Sequence, residues 1–333
     1  MQTISLFNLC KFVTFVNNYF SDIIILRFNM IITDSKNSRA IRLLAKDFIA
    51  IPVDSRIKTI TEYSKEINVA RGTIQNSLKI LSDNGAIKIK SKGHLGSFLI
   101  EKNLTQLLYF ADIQFIVGVM PLPYSKRYEG LSTGILKVLE EKLQLPINMS
   151  YMRGAKNRVN LVLRERYDFA ITSKFAAKKY MEQSNDIEIV KEFGCESYVS
   201  KHQIITLNKD FTEIKDGMRV GIDYDSIDQS NLTLDATKDR SVELIEVDYN
   251  LILDSLRENK IDVAIWNGDE VSEKYNDAIL FDIEGYDIDN TIASLIIKKD
   301  RSDLKKILSD SLDVEKVIDF QKLVINNKLI PNY

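Results

Sequence analysis

Residues 59–98 constrain the local fold more tightly than any other part of this 333-residue chain. Thr59 is followed three residues later by Glu62, which is the spacing of a capping box at the start of a helix. Residues 68–70 interrupt the helical pattern, and a further pattern of apolar residues at helical spacing runs over 71–83. The sequence therefore predicts a helix, a three-residue turn and a second helix.

The residues on either side extend this pattern. Residues 38–50 place apolar side chains at helical intervals and predict an earlier helix. Gly85 suits the end of the later helix, because glycine readily adopts the left-handed conformation found there. Residues 86–101 then alternate apolar and lysine side chains around a glycine-tipped turn. We expect a two-stranded hairpin with Ile87, Ile89, Phe98 and Ile100 buried and with Lys88, Lys90 and Lys92 in solvent.

Helix, turn, helix and basic hairpin together form a winged helix-turn-helix, which lays its second helix in the major groove of DNA. Glutamine and asparagine pair with adenine in that groove, arginine pairs with guanine, and lysine on the hairpin holds phosphate. The predicted DNA-contacting residues are Arg56, Thr59, Arg71, Thr73, Gln75, Asn76, Lys90, Lys92 and His94. The alternative is a small winged domain that contacts another protein.

The charge distribution favours the DNA-binding interpretation. The chain has a net charge of −2, yet residues 31–103 hold 13 Lys/Arg against 7 Asp/Glu, and residues 1–30 carry +1. The remainder, 104–333, therefore carries −9. A basic N-terminal module on an acidic body is typical of a regulator that touches nucleic acid with one end.

The same residues resemble the winged helix of GntR-type bacterial regulators. The matching segments are 56–60, 70–78, 81, 84–87 and 93–98. The resemblance implies a DNA-binding transcription regulator. Two residues depart from the pattern of that family, since Lys58 stands where proline is usual and the small Gly72 follows Arg71.

Beyond residue 111 the pattern changes to short apolar strands that alternate with amphipathic helices. This alternation predicts an α/β fold, with parallel sheet covered by helices. The unit recurs in two halves, so we expect a two-lobed domain whose architecture resembles the type II periplasmic binding proteins. The predicted domains are an N-terminal extension over 1–30, the winged helix over 31–102 and the two-lobed domain over 111–333, with lobe 1 at about 111–205 and 290–333 and lobe 2 at about 207–285.

Ligands of open α/β sheets bind beyond the carboxyl ends of the strands, which here places a site in the cleft between the lobes. Hydroxyl groups, arginine and the backbone N–H groups at helix starts suit a small organic anion. The predicted ligand-binding residues are Tyr124, Ser125, Arg127, Arg153, Ser173, Ser226, Trp266 and Asn267. The alternative is that the serines only cap helices and that Trp266 belongs to the core.

The combination of this winged helix with this body is similar to the YhfZ family of predicted transcription regulators. The segments that carry the similarity are 93–98, 120–124, 128–131 and 167–170, and the likeness covers about residues 35–330. It implies the fold of both domains. It implies no defined activity, because the family is poorly characterised.

Enzyme signatures find little support in the chain. Residues 130–134 match G-x-S-x-G, but they lie within a predicted helix and not on a turn directly after a strand, where a nucleophile is needed. Cys195 and His202 are neighbours in sequence alone, and the chain has no P-loop, GxGxxG or clustered Cys/His pattern. We expect no enzyme activity, no cofactor and no metal site. The two cysteines suit a reducing cytosol.

Residues 1–30 are apolar but interrupted by polar residues, which is unlike a membrane span or a signal peptide. They are either a helical extension that packs on the body or on a second subunit, or sequence upstream of a true start at Met30. The expected partners are a double-stranded DNA operator, a small-molecule effector and a second copy of the chain, with no membrane. A homodimer would present two recognition helices to two operator half-sites. The rival interpretation is a ligand-binding or substrate-processing protein whose winged domain does not bind DNA.

Overall fold

The computed structural model describes residues 35–274, 277–283 and 288–332, with the side chains of 272–274 left aside. The chain divides into two compact units, one that ends at Asp112 and one that begins at Ile113. The predicted extension over 1–30 lies outside the described residues. In the part of the chain that is described, no helix is long and apolar enough to cross a membrane.

The first unit is a winged helix. Its helices are α1 (Lys36–Ala50), α2 (Ile60–Ile67), α3 (Arg71–Asp83) and α4 (Leu104–Phe110), and its hairpin strands are β1 (Ile87–Ser91) and β2 (Ser97–Lys102). One apolar side of each helix faces a common core, in which Leu44, Phe48, Ile74 and Leu81 are fully buried. Burial of a side chain of this size stabilises a fold by about 1.5–3 kcal/mol.

The capping box at the start of α2 is confirmed. Thr59 Oγ1 accepts the backbone N–H of Glu62, and the Glu62 carboxylate accepts the backbone N–H of Thr59. The turn that follows places Asn68 in the left-handed region at φ 58° and so aims α3. Gly85 has φ 69°, as expected for the residue that ends a helix with a left-handed turn.

Lys58 has a structural role that accounts for its departure from the GntR-type pattern. Its ammonium lies 3.3 Å from Asp47 of α1 and 2.8 Å from Glu66 of α2. The Tyr63 hydroxyl donates to the same Asp47 carboxylate at 2.7 Å. Lys58 therefore ties the first two helices together, where a proline would supply no charge.

The hairpin forms as predicted, but one prediction about its buried side is wrong. Leu99 is fully buried, whereas Ile89, Phe98 and Ile100 are only half-buried. A shift in the strand pairing between Lys88 and Ile89 changes which side chains of β2 face inward. Such a shift depends on the partner strand and leaves no mark on the alternation of either strand alone.

The second unit contains two five-stranded sheets. The first lobe holds β3 (Ile116–Met120), β4 (Ile147–Tyr151), β5 (Phe169–Ser173), β6 (Ile187–Glu192) and β12 (Ala293–Lys298), in the order β4-β3-β5-β12-β6. Its helices are α5 (Lys126–Leu143), α6 (Ala155–Leu163), α7 (Lys174–Gln183), α11 (Ser302–Ser311) and α12 (Val314–Ile325).

The second lobe holds β7 (His202–Thr206), β8 (Arg219–Ile222), β9 (Glu243–Glu246), β10 (Val263–Asn267) and β11 (Ile279–Asp282), in the order β11-β7-β10-β8-β9. Its helices are α8 (Ile227–Thr237), α9 (Ile252–Arg257) and α10 (Gly268–Lys274). Two short 3-10 turns, Tyr249–Leu251 and Ile288–Asn290, precede α9 and β12. The chain passes from the first lobe to the second and returns, as in the predicted two-lobed α/β fold.

Both sheets are mixed, so the predicted parallel pairing describes β3, β4, β5, β8, β9 and part of β10 but not every strand. In the first lobe β12 pairs antiparallel with both β5 and β6, and in the second β7 pairs antiparallel with both β10 and β11. These strands join their sheets from the crossing segments and therefore run against their neighbours. Helix α8 was also not predicted, because its polar first turn is buried and its sequence shows little helical amphipathicity.

The G-x-S-x-G segment lies inside α5, and its glycines serve helix packing. A Cβ on Gly134 would lie 2.5 Å from the Val317 carbonyl oxygen of α12, and one on Gly130 would lie 2.8 Å from that of Gln321. The Gln321 side chain in turn donates to the carbonyl oxygens of Arg127 and Ser197 at 2.9 and 2.8 Å. Gly130 and Gly134 lie one helical turn apart and let α12 approach α5 closely. This approach brings Gln321 of α12 against the first turn of α5.

We expect Gly134→Ala to destabilise the body by about 1–3 kcal/mol, because the new methyl group meets backbone that cannot move aside alone. Chemical unfolding followed by circular dichroism measures the change. Gly72→Ala is the matched control, since among the described residues nothing lies within 4 Å of its added Cβ. That control should be neutral or stabilising, because alanine favours a helix over glycine. Equal losses in both variants would contradict the packing role.

Candidate functional sites: the recognition helix and the inter-lobe cleft

The first turns of α3 present polar side chains to solvent. Arg71, Gln75 and Asn76 are exposed and Thr73 is half-buried, while Ile74 and Ser77 face the core. The helix begins after Ala70, which has no side-chain group that could cap it. The positive end of the helix dipole therefore has no side-chain cap from the residue before it. This geometry suits a helix that meets base edges and phosphates.

The hairpin carries the remaining cations. Lys90, Lys92 and His94 are exposed, and the Lys92 ammonium lies 4.2 Å from the centre of the Phe98 ring. Gly96, at φ 93°, passes so close to Arg56 that a Cβ would lie 2.9 Å from its Nε. Arg56 therefore packs against the base of the wing, and Thr59 is engaged in the α2 cap.

In the second unit, a cavity of about 80 Å³ lies where the two lobes meet. We call it the cleft cavity. The first lobe and its crossing segment contribute Tyr124, Tyr128, Arg153, Arg158 and Tyr198 to its wall. The second lobe contributes His202, Asp223, Ser226, Asp228 and Tyr249. Room for several water-sized positions is enough for a small organic molecule.

Two helices begin at the cleft cavity, one from each lobe. Helix α6 starts at its wall with Gly154 and Ala155, and α8 starts there with Ser226 and Ile227. In both, the residue before the helix makes no side-chain capping bond within the described chain. The first backbone N–H groups of a helix lack intrahelical acceptors, so the start of α6 offers hydrogen-bond donors and partial positive charge. At the start of α8, the carboxylate of Asp228 in the first turn offsets this charge.

The predicted arginines link the lobes to each other. Arg127 of α5 forms a paired contact with Asp269 of α10, with Nε donating at 2.9 Å and the second nitrogen at 3.2 Å. Arg153 donates to Asp223 at 2.6 Å and contacts Asp248 at 2.9 Å. Arg153 lines the cleft cavity, whereas Arg127 lies outside its wall.

Ser173 takes part in a third link between the lobes. Its hydroxyl donates to the two oxygens of Asp228 at 2.7 and 2.8 Å, and Asn290 donates to the same carboxylate at 2.6 Å. Burial raises the pKa of Asp228, and the bonds from Ser173 and Asn290 oppose that rise. Ser173 also caps α7 through the backbone N–H of Ala176, so capping is one of its two roles.

The other predicted ligand residues fall into two groups. Tyr124 and Ser226 line the cleft cavity. Ser125, Trp266 and Asn267 are buried and lie outside its wall. Trp266 packs edge to face on Tyr249 in the core of the second lobe, with ring centres 5.7 Å apart.

Known proteins share both parts of this chain. A sequence model of the YhfZ C-terminal domain matches residues 103–333, and one of a helix-turn-helix domain matches residues 54–99. The uncharacterized protein YhfZ of Escherichia coli strain K12 is 30% identical over 305 residues, which cover 90% of this chain and 98% of that protein. The chain belongs to the YhfZ family.

Solved structures of similar fold include this family. The crystal structure of YhfZ from Shigella flexneri is 30% identical, covers 69% of this chain and 97% of its own, and gives a TM-score of 0.58. The amino acid ABC transporter substrate-binding protein AbpA from Streptococcus pneumoniae is 15% identical, with coverage of 65% and 95% and a TM-score of 0.48. This member of the YhfZ family thus joins a helix-turn-helix domain to a YhfZ C-terminal domain.

Several cavity residues escaped the sequence prediction. Arg158 is buried on α6 and donates to the carbonyl oxygens of Met152 and Ile171 and to the Tyr198 hydroxyl. His202 is the first residue of the antiparallel strand β7. The sequence alone did not place His202 in the cavity wall. It is only 5% exposed, and among the described residues its Nδ1 has no hydrogen-bond partner.

The burial of His202 predicts a pH dependence of stability. Desolvation lowers its pKa from 6.5 to about 4 against a smaller opposing effect of Asp269. The unfolded chain therefore binds a proton that the folded chain does not between about pH 6.5 and 4. Stability should fall by about 3 kcal/mol as pH falls through that window.

Denaturant unfolding followed by the fluorescence of Trp266, on the strand beside β7, measures this loss. His202→Leu should lose this fall in unfolding free energy between pH 6.5 and 4. His94→Leu, at the exposed wing tip, should keep the same dependence of unfolding free energy on pH as the wild type. Identical slopes in the wild type and in His202→Leu would contradict the neutral, buried state of His202.

Proposed function

We propose that this chain is a DNA-binding transcription regulator whose output responds to a small molecule bound in the cleft cavity. The residue types predicted for the site favour a small organic anion. The observation that carries the proposal is the pairing, in one chain, of an exposed polar face on α3 with a two-lobed body that holds a cavity between its lobes. Membership of the YhfZ family and the helix-turn-helix match support it. Because a transcription regulator must reach DNA, we propose that the protein is located in the cytoplasm.

The effector would act by differential binding between two arrangements of the lobes. A ligand shifts an equilibrium only by as much as its affinity for the two states differs. The three links between the lobes, at Arg127, Arg153 and Ser173, define a joined arrangement. We propose a homodimer with GntR-type docking, in which the arrangement of the lobes sets the spacing of two recognition helices.

We expect the double variant Arg71→Ala, Gln75→Ala to weaken binding to the cognate operator about tenfold or more, because a good base contact contributes about 1–3 kcal/mol. Gel shifts with DNA from upstream of the chain's own operon, at fixed salt, measure the loss. Lys65→Ala removes one exposed charge from α2 and serves as the control. A wild-type protein that shifts no DNA, with or without candidate effectors, would leave the rival ligand-binding protein standing.

A second expectation concerns the link at Arg127. Arg127→Asp should separate the lobes, because loss of one partner of a largely buried ion pair leaves the other carboxylate uncompensated and costs about 3–5 kcal/mol. Small-angle scattering should show a larger radius of gyration. The exchanged pair Arg127→Asp with Asp269→Arg should recover the wild-type value in part. An unchanged radius in the single variant would show that this pair does not hold the lobes.

A further inference from the structure

The charges in the wall of the cleft cavity cancel one another. Two guanidinium groups and about one positive unit from the starts of α6 and α8 stand against three carboxylates. The charged side chains are those of Arg153, Arg158, Asp223, Asp225 and Asp228. A ligand with a net charge of either sign would bring in a charge that the wall does not compensate, which is costly away from water. Residue types alone favour an anion, but the assembled wall matches an uncharged molecule.

Most of these charged groups are also bound within the protein. Arg153 contacts the carboxylates of Asp223 and Asp248. Arg158 is 3% exposed, and its guanidinium donates to two carbonyl oxygens and to a tyrosine hydroxyl. The Asp228 carboxylate accepts hydrogen bonds from two side chains. A ligand must therefore bond to the other polar groups of the wall.

Tyrosine hydroxyls supply hydrogen-bond donors. The Tyr249 hydroxyl accepts the backbone N–H of Asn267 at 3.0 Å, so its own proton is left for another acceptor. The Tyr198 hydroxyl accepts from Arg158 at 3.3 Å and also hydrogen-bonds to Tyr128. A bond between two hydroxyls uses only one of their two protons, so this pair has one more to donate. All three tyrosines line the cleft cavity, and together they offer two O–H protons to it.

The second lobe supplies an acceptor and a further hydroxyl. Asp225 and Ser226 line the cavity just before α8. Asp225 donates its backbone N–H to Asp223, and within the described chain its carboxylate has no hydrogen-bond partner. Ser226 makes no side-chain capping bond, so its hydroxyl can donate and accept. Donors and acceptors without charge surplus suit a ligand whose own hydroxyls both donate and accept.

We propose that the effector is a small uncharged polyol. Its hydroxyl oxygens accept from Tyr249 and from the Tyr128–Tyr198 pair, and its hydroxyl protons are donated to the Asp225 carboxylate. The tyrosine pair belongs to the first lobe and its crossing segment, whereas Tyr249 and Asp225 belong to the second lobe. Such a ligand bonds to both lobes and therefore favours the arrangement in which they are joined.

The size of the cavity narrows the class. One water needs about 10–15 Å³, so a cavity of about 80 Å³ admits about five to eight non-hydrogen atoms. A polyol of three or four carbon atoms has this size. The inference rests on the proposed function only in calling the molecule an effector, because the ligand chemistry follows from the cavity wall.

The test uses the full-length protein and named probes in titration calorimetry at constant ionic strength. Glycerol and erythritol are polyols of the expected size. Three comparison compounds each change one property: glycerate adds a negative charge, 2-amino-1,3-propanediol adds a positive charge, and glucose is larger than the cavity. We expect saturable binding of at least one of the two polyols and none of the three comparison compounds at the same concentrations.

Variants of the wall test the assigned bonds. Tyr249→Phe removes a hydroxyl and keeps the ring against Trp266, and Asp225→Ala removes the acceptor. Each should weaken polyol binding about tenfold. Tyr224→Phe and Asp235→Ala are the matched controls, because both side chains are exposed and lie outside the cavity wall, and both should bind as the wild type does.

Asp225→Asn separates a hydrogen bond from a charge. The amide keeps an oxygen that accepts, so polyol affinity should stay within about threefold of the wild type. A cationic ligand would instead lose its counter-charge and bind far more weakly. A loss as large as that in Asp225→Ala would overturn the uncharged class.

The remaining outcomes also decide the proposal. Preference for any of the three comparison compounds overturns it, and so does the lack of saturable binding by both polyols. Polyol affinity that is unchanged in Tyr249→Phe or in Asp225→Ala overturns the bond assigned to that residue. Gel shifts run in parallel separate the two proposals. Operator binding without polyol binding leaves the regulator and removes this ligand class, and the reverse result leaves a polyol-binding protein that does not bind DNA.

Discussion

The body of this protein depends on one strand that arrives late in the chain. Strand β12 lies between β5 and β6 and pairs with both, so the first sheet is incomplete until the chain has passed through the second lobe and returned. The two lobes are therefore parts of one folding unit and not two independently folding domains. Pairings between residues so far apart in sequence are slow to form, because chain entropy is lost before the contacts are made.

The same return fixes the chemistry of the cleft. Asn290, just before β12, reaches the Asp228 carboxylate that Ser173 also holds. A buried carboxylate is tolerated only when hydrogen-bond donors surround it, and here the donors come from the opposite lobe. The position of the lobes and the satisfaction of Asp228 are thus one problem. Any movement that separates the lobes takes the Asp228 carboxylate away from its hydrogen-bond donors. The joined arrangement of the lobes is therefore the one in which this carboxylate is satisfied.

What the sequence predicted well was local. The capping box of Thr59 and Glu62, the turn at Asn68 and the glycine stop at Gly85 each depend on residues within one or two turns. The winged helix consists almost wholly of such signals. The buried side of the hairpin was missed because the position of Leu99 follows from a pairing shift with the other strand.

What the sequence could not predict was long-range pairing. Arg127 and Arg153 were assigned to a ligand because arginine suits an anion, yet each has a protein carboxylate as a neighbour. Asp269 and Asp223 lie far along the chain, and the physical chemistry of an ion pair gives no clue to which of many acids is the partner. His202 was passed over for a similar reason, since only the antiparallel placement of β7 brings it to the cavity.

The close contact of α12 with α5 has an evolutionary consequence. Gln321 holds the carbonyl oxygens of Arg127 and Ser197, which belong to the first turn of α5 and to the segment that crosses between the lobes. Neither Gln321 nor the two glycines that admit its helix line the cleft cavity. Substitutions on α12 therefore offer a route by which the shape of the cavity can change in descendants of this chain while the residues of its wall stay the same.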